Sequence, residues 1–205
     1  MLTFHVYGFF VGLGVVVGAW ISKRIYRDLP VDKLFPWVVI PAIFGARIYN
    51  VIDYWIYYQQ DPVKIFYLWE GGLGIYGAIA GGIIGLLVFS RKSFFPHLDA
   101  ISFGLPIGQA IGRIGNYFNR ELYPIAIYEA IWDLLIFIIL IIIRKKKLRP
   151  GSFFFLYLGL YGSGRFFLEF LRIDPWRLAG INVAQGISLS LVLISLIRYK
   201  QWNFF

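Results

Sequence analysis

The sequence predicts an all-α integral membrane protein with seven transmembrane helices in a single polytopic membrane domain, residues 1–205. Apolar residues make up 59% of the chain and charged residues only 15%, against roughly 25% charged in an average soluble domain. Mean hydropathy is +0.69. Apolar runs of this length can cross a bilayer as helices. We predict spans at residues 6–26, 35–58, 71–90, 98–119, 122–143, 151–170 and 181–198.

The distribution of basic residues predicts the orientation. Of the 20 Lys and Arg, thirteen fall in loops on one side of these spans, four on the other, and three inside them. Because cytoplasmic loops are rich in Lys and Arg, we expect the N-terminus outside and the C-terminus in the cytoplasm. The net charge of +9 is then explained mostly by the basic residues of the cytoplasmic loops, and no nucleic acid partner is expected. No Lys or Arg precedes Lys23, so we expect the first span to stay as a helix rather than be cleaved as a signal peptide.

The residue types exclude several kinds of chemistry. The chain has no cysteine, which excludes disulfides, thiolate catalysis and zinc–thiolate sites. With only two histidines, no metal site built by the protein is expected, and no cofactor motif is present. Neither a Ser/His/Asp set, nor an HExxH motif, nor a phosphate-binding loop can be assembled.

The first span opens with HVYG and contains two pairs of glycines at helical spacing, Gly8/Gly12 and Gly14/Gly18. Such pairs let another helix approach closely. Tyr7 lies near the predicted outer interface, where an aromatic belt would by itself account for it.

The second span contains Arg47 within GARIYNVIDY, deep enough to need a partner. Two interpretations stay open at this point. Arg47 contributes to a ligand site, or it makes a structural ion pair or hydrogen bond inside the bundle.

The third span begins with WEGGLGIYG, in which four glycines within seven residues disfavour a helix. We expect a broken or re-entrant entry whose backbone N–H groups, at Gly71 and Gly72 among others, could hold an anion. The strip Gly77, Gly81 and Gly85 predicts tight helix packing, which could also explain all of these glycines.

The fourth span ends in GRIGNYFNRELY, residues 112–123, where each charge is costly unless it is paired or hydrated. Arg113, Asn116 and Arg120 share one helical face. The alternative is a helix end whose polar residues only mark the membrane surface. Three glycines at every fourth position precede this face and predict close helix contact: Gly104, Gly108 and Gly112.

Two further spans carry charges that must avoid lipid. Glu129 and Asp133 are like charges one turn apart, so either they face a polar interior or one is protonated. The sixth span has a polar stripe consisting of Tyr161, Arg165, Glu169 and Arg172. This stripe predicts a polar bundle interior, with a self-contained Arg165–Glu169 pair as the structural alternative.

Arginine within apolar spans indicates an anionic ligand. Its planar fork matches phosphate, and an intramembrane site of this kind suggests a phospholipid headgroup reached from within the bilayer. Arginines there would stabilise charge on a phosphate leaving group, and a carboxylate or tyrosine would take a proton.

These motifs together resemble the prolipoprotein diacylglyceryl transferase family. HVYG, WEGGLGIYG, GRIGNYFNRELY, Tyr128-Glu129, LYGSGRFFLEFLR and the Gln185–Ser188 segment occur in the family's order over most of the chain. The resemblance implies a seven-helix enzyme of the prokaryotic inner membrane. It also implies transfer of diacylglyceryl from phosphatidylglycerol to the lipobox cysteine thiol of a preprolipoprotein signal peptide, with release of glycerol 1-phosphate. With no cysteine here, the thiol must come from the substrate.

The resemblance also assigns roles to residues. Arg113 and Arg165 are expected to hold and polarise the lipid phosphate, with Glu121 and Glu169 as network or proton-accepting partners. The predicted substrate-binding residues are Tyr7, Arg47, Gly71, Gly72, Gly77, Gly115, Asn116, Asn119, Glu129, Tyr161 and Arg172.

Three departures from the family pattern bear on the chemistry. Tyr76 replaces a histidine, so Tyr76, Glu121 and Glu169 are all candidates for accepting the thiol proton. Arg120 and Ala126 also replace residues usual in the family. The chain between Glu121-Leu122 and Tyr128-Glu129 is short, so an outer segment that would contact the peptide is missing. The alternatives are a non-catalytic lipid-binding or lipid-translocating relative and, third, a small-anion channel, which the lack of a duplicated half disfavours.

Overall fold

The computed structural model describes residues 6–121, 123–172, 175–178 and 180–203, with side chains described up to residue 198. Eight α-helices lie in this part of the chain: α1 Val6–Ile25, α2 Val31–Asp53, α3 Trp55–Tyr58, α4 Ile75–Phe89, α5 Phe94–Phe118, α6 Ile125–Ile143, α7 Ser152–Leu168 and α8 Val183–Asn203. Short 3₁₀ turns lie at Pro62–Phe66, Leu68–Glu70 and Glu169–Leu171. A two-stranded antiparallel hairpin pairs β1, Arg177–Leu178, with β2, Ile181–Asn182.

Each of the seven predicted spans contains most of one long helix, and the second span also contains α3, which confirms the all-α class. The ends differ from the predicted ones by up to five residues, and α4 begins at Ile75 rather than at residue 71. Gly71 and Gly72 have φ of +88° and +71°, in the left-handed region that ends helices. The predicted break before α4 is therefore confirmed. The small hairpin around Gly180 was not predicted.

Within the described part of the chain, three helices are long and apolar enough to cross a membrane: Val6–Ile25, Val31–Asp53 and Ile125–Ile143. Ile75–Phe89 and Val183–Arg198 are apolar but shorter. These helices support a membrane protein.

The chain divides into two compact units. Unit 1 comprises residues 1–27 and 98–205, and unit 2 comprises residues 28–97. Unit 1 thus contains α1, most of α5, and α6 to α8. Unit 2 contains α2 to α4 with the first residues of α5.

In unit 2, α2 and α4 pack backbone to backbone. A Cβ on Gly77 would overlap the carbonyl of Gly45, and one on Gly81 would overlap that of Pro41. Gly85 is equally close to the carbonyl of Trp37. The predicted packing strip on α4 is confirmed.

In unit 1, α1 and α5 also meet through glycines. A Cβ on Gly14 would lie 2.6 Å from the Gly108 carbonyl oxygen, and one on Gly18 would lie 2.8 Å from that of Gly104. The prediction was wrong for Gly12 and Gly112, where a Cβ would meet no described atom within 4 Å. Spacing predicts which residues share a face, but not how far the partner helix extends along it.

A core of aromatic and aliphatic side chains joins α5, α6 and α7 in unit 1. Phe103, Ile136, Leu140, Phe153 and Tyr157 are all buried in it. The α7 N-terminus is held to α5 by a carboxylate, since the backbone N–H groups at positions 151 and 154 donate to Asp99 at 2.6 and 2.9 Å. This anchoring, with the core, fixes the helices that carry the site.

Candidate active site

Two arginines from different helices of unit 1 meet at one carboxylate. Arg113 on α5 places Nε 2.9 Å from Glu129 Oε2 on α6. Arg165 on α7 donates from Nη1 to Glu129 Oε1. The Glu129 side chain is only 5% exposed. Burying it is feasible because each oxygen faces a guanidinium.

Arg165 also holds a second buried carboxylate. Its Nη2 lies 2.8 Å from Glu169 Oε2, one turn further along the chain, and the Glu169 side chain is fully buried. Asn182 donates to the other Glu169 oxygen at 3.5 Å. Thus the Arg165–Glu169 pair foreseen as a structural alternative exists, but Arg165 bridges Glu169 to Glu129 rather than serving Glu169 alone.

A third arginine joins this group. Arg172 Nε lies 3.6 Å from Glu169 Oε2, too far for a good hydrogen bond, and has no hydrogen-bond partner among the described residues. Burial and the neighbouring Arg165 guanidinium lower the pKa of Arg172 from its usual value. A bound anion would relieve both effects. We refer to Arg113, Glu129, Arg165, Glu169 and Arg172 as the arginine cluster.

A small hollow, partly open to the outside, adjoins the arginine cluster. Its lining consists of Arg113, Glu129, Trp132, Asp133, Tyr161, Arg165 and Leu168. Asp133 is 3% exposed and makes no hydrogen bond or ion pair to another described residue. Both arginines, two carboxylates and a phenol therefore face one space.

The donors left in this hollow decide what it can bind. An arginine has five N–H donors. The ion pair of Arg113 with Glu129 uses Nε, and neither terminal nitrogen has a partner among the described residues. At 25% exposure, the Arg113 side chain is reachable from the hollow. The arrangement can hold an oxyanion such as phosphate.

Close contact of α6 and α7 keeps Arg165 beside Glu129. Trp132 donates from Nε1 to the Leu160 carbonyl at 3.0 Å. A Cβ on Gly164 would overlap the Trp132 indole. Only glycine fits there without moving Trp132, a lining residue of the hollow.

Tyr161 also lines the hollow. Its ring stacks on Tyr157 at a centroid distance of 5.9 Å, and Tyr157 donates to Gln109 at 2.9 Å. This chain of contacts runs from the core to the hollow and holds Tyr161 in place.

The other predicted residues of unit 1 lie outside the hollow's lining. Asn116 donates to Glu121 Oε2 at 2.9 Å, and Asn119 lies 3.5 Å from Oε1. This exposed Glu121 follows Arg120, whose φ is +57°. The Asn116–Glu121 bond ties the end of α5 to the chain that follows.

Tyr7 and Gly115, predicted to line the pocket, lie next to each other. A Cβ on Gly115 would lie 3.4 Å from the Tyr7 ring and 2.8 Å from Phe10 Cβ. They pack α1 against the end of α5. His5 and Leu122, which belong to the motifs quoted above, lie outside the described residues.

Among the predicted residues of unit 2, Arg47 is 6% exposed and bonds to Gly71 and Gly72. Its Nε, Nη1 and Nη2 make five hydrogen bonds of 2.5–3.1 Å, all to backbone carbonyls. The acceptors are Lys64, Ile65, Tyr67, Gly71 and Gly72. No N–H of Arg47 is left for a ligand, which favours the structural interpretation.

Tyr76 and Gly77 stand at the start of α4 in the same unit. The Tyr76 ring packs on Tyr49 with centroids 5.8 Å apart and is 43% exposed. Gly77 is occupied by its contact with Gly45.

Sequence reasoning missed part of the hollow. Trp132, Asp133 and Leu168 line it but were not among the predicted site residues. A signal existed for Asp133, because its one-turn spacing from Glu129 puts both carboxylates on one face of α6. Nothing in the sequence distinguishes Trp132 and Leu168 from ordinary core residues.

Comparison with known proteins shows which family this chain is similar to. The family model described as prolipoprotein diacylglyceryl transferase matches residues 1–200. A phosphatidylglycerol–prolipoprotein diacylglyceryl transferase of Halalkalibacterium halodurans is 35% identical over 96% of this chain and 82% of its own length. Proteins of the same name from Symbiobacterium thermophilum and Staphylococcus saprophyticus are 34% and 36% identical, over 96% and 93% of this chain and 87% and 82% of theirs.

Proposed function

The chain belongs to the prolipoprotein diacylglyceryl transferase family, and from that membership we propose that it transfers diacylglyceryl from phosphatidylglycerol to a prolipoprotein. The observation that carries the proposal is the arginine cluster. Arg113 and Arg165 share Glu129, while the terminal nitrogens of Arg113 have no partner among the described residues.

Arg113 is the residue we propose to grip the lipid phosphate. Glu129 and Glu169 orient the guanidinium groups, so the donors are preorganised before lipid arrives. Arg165 polarises the same phosphate from the other side of Glu129, and Arg172 adds positive charge beside Glu169. Preorganised positive charge in a site with little water is worth more than in solution.

The proposed reaction is a displacement at carbon. The bond between a diacylglyceryl carbon and a phosphate oxygen breaks, and a C–S bond to the peptide cysteine forms. The electron pair of the broken bond leaves with glycerol 1-phosphate. Arginines stabilise the charge that develops on this leaving group, and the thiol proton passes to a base.

Asp133 is the carboxylate of the hollow that we propose as this base. Glu129 and Glu169 are each held by arginine, and Glu121 bonds two asparagines outside the hollow's lining. Asp133 lines the hollow and makes no hydrogen bond to another described residue, although the Arg113 guanidinium is near enough to attract it electrostatically. Tyr76 stays a candidate because it stands where the family pattern has histidine.

The proposed setting is the prokaryotic inner membrane, crossed seven times, with the N-terminus outside. The seven long helices and the thirteen-to-four bias of basic residues support it. The proposed protein substrate is a signal peptide with a lipobox cysteine, because the enzyme has no thiol of its own.

A direct assay tests the function. Purified protein is incubated with phosphatidylglycerol and a lipobox peptide, and the mass of the peptide is measured by mass spectrometry. We expect a gain of one diacylglyceryl on the cysteine and an equal yield of glycerol phosphate. A Cys→Ser peptide is the matched control. Binding of phosphatidylglycerol with no modified peptide would instead favour the non-catalytic lipid-binding alternative.

A further inference from the structure

The segment between α3 and α4, residues 61–74, has an apolar exterior. We call this segment the Arg47 loop. Phe66 is 76% exposed and Trp69 65% exposed. Three more large apolar side chains of the loop are also exposed: Val63, Leu68 and Leu73. Several large apolar side chains exposed on one short segment are typical of a contact with lipid or with another protein.

Much of the backbone of the same loop is hydrogen-bonded within the protein. Arg47 supplies hydrogen bonds to five of its carbonyls. Several loop N–H groups bond to carbonyls inside the loop, those of Lys64, Tyr67, Glu70 and Gly71, and the N–H of Gly74 bonds to the Ala46 carbonyl. A buried guanidinium thus takes the place that water has in an ordinary surface loop.

Such a loop is suited to lipid. An exposed irregular loop does not enter the hydrocarbon core of a bilayer, but the interfacial region is open to a loop whose polar backbone groups are largely bonded within the protein, because few of them then lose a partner there. Tryptophan and tyrosine prefer the level of the headgroups, and here Tyr67 stacks on Trp69 with centroids 4.9 Å apart. At the start of the loop, Lys64 lies 3.9 Å from Asp61 and remains 34% exposed, which suits contact with anionic headgroups.

We propose that the Arg47 loop is a membrane-docking element. Phe66, Leu68 and Trp69 insert into the interfacial region of the bilayer, and Arg47 serves as its internal hydrogen-bond donor. The role of Arg47 is therefore to let an irregular segment leave water. This inference does not depend on the transfer reaction.

The absence of cysteine allows a clean test. Phe66→Cys in the full chain gives a single thiol for a bimane label, and the protein is placed in vesicles of phosphatidylcholine and phosphatidylglycerol. Lys146→Cys, in the basic loop 144–149, is the matched water-exposed control. Because lipid excludes iodide, we expect iodide quenching at position 66 to be about fivefold weaker than at 146, and quenching by shallow doxyl-labelled lipid to be stronger.

Two outcomes would overturn the proposal. Equal iodide quenching at positions 66 and 146 would show a loop in water. Protection from both iodide and doxyl lipid would show that a second copy or another protein covers the surface.

Substitutions of Arg47 in the labelled Phe66→Cys protein test the role proposed for Arg47. In Arg47→Met, the five carbonyls lose their donors, so iodide quenching at position 66 should rise toward that at 146. Arg47→Lys, with three donors instead of five, should lie between. Unchanged quenching in Arg47→Met, with helicity retained, would contradict this role, and the wild-type background still tests the docking if that variant fails to fold.

Discussion

Unit 1 and unit 2 each bury arginine among apolar helices, but the arginines have different partners. In unit 2, all the N–H donors of Arg47 go to backbone carbonyls of one loop. In unit 1, Arg113 and Arg165 meet carboxylates, and Arg113 keeps two terminal nitrogens without partners among the described residues. Burial among apolar helices therefore does not by itself separate a structural arginine from a binding one. The two kinds of arginine differ in the number of N–H donors that have no partner within the described part of the protein.

The largest effect expected from this difference is on transfer. Arg113→Ala removes the donors that face the hollow and should lower the rate by about 1000-fold, equivalent to about 4 kcal/mol of transition-state stabilisation. Arg113→Lys keeps the charge without the fork and should retain only part of the rate. Single-turnover mass spectrometry of the peptide measures both.

A ligand readout separates this effect from misfolding. Phosphatidylglycerol should raise the midpoint of thermal unfolding of wild type and Arg47→Lys, but not of Arg113→Ala, because only a ligand bound to the folded state stabilises it. Equal stabilisation of Arg113→Ala would place the headgroup elsewhere.

Asp133→Asn tests the proposed proton acceptor, and the loss of transfer rate expected from it is smaller than that from Arg113→Ala. Loss of a general base slows a reaction by roughly 100-fold or more, about 3 kcal/mol. Asparagine keeps the shape of the hollow, so binding of phosphatidylglycerol should persist. Tyr76→Phe is the companion variant. If Tyr76→Phe slows transfer and Asp133→Asn has a normal rate, the base lies in unit 2.

Helices were the predictable part of the fold, because apolar runs of bilayer length carry their own signal. All seven long helices appear within a few residues of their predicted ends. The hairpin at β1 and β2 has only two residues in each strand, too few for a periodic pattern. Gly112 shows a second limit of prediction from sequence. It continues the glycine strip that was predicted correctly at Gly104 and Gly108, but a Cβ on it would meet no described atom within 4 Å.

The site was predicted only in part. Arg113 and Arg165 are recognisable because charge inside an apolar run needs a reason. Their common partner Glu129 lies on a third helix, and only tertiary packing brings it to both. The same is true of Arg47, whose partners are carbonyls that carry no sequence signal. Glu121, grouped with the arginines by its motif, bonds the asparagines of its own motif instead.

Arg47→Met is expected to act on stability. Leaving buried carbonyls without donors costs about 1 to 3 kcal/mol, and hydration of the opened loop limits the loss to about 2 kcal/mol. The transfer rate per folded molecule should fall far less than in Arg113→Ala. Unfolding in mixed micelles with increasing dodecyl sulfate measures the first quantity. A large loss of rate with unchanged stability would erase the distinction between the two kinds of arginine.

The smallest effect expected is at Gly164, and it links the packing of unit 1 to its chemistry. In Gly164→Ala the new Cβ would overlap the Trp132 indole, so α6 and α7 must separate slightly. Overpacking of this kind costs about 1 kcal/mol or somewhat more. Because the two helices carry Glu129 and Arg165, the rate should fall about tenfold. Gly112→Ala is the matched control on α5, where a Cβ meets no described atom within 4 Å and both stability and rate should hold. If the two variants behave alike, the distance between α6 and α7 does not set the geometry of the arginine cluster, and its preorganisation must come from the carboxylates alone.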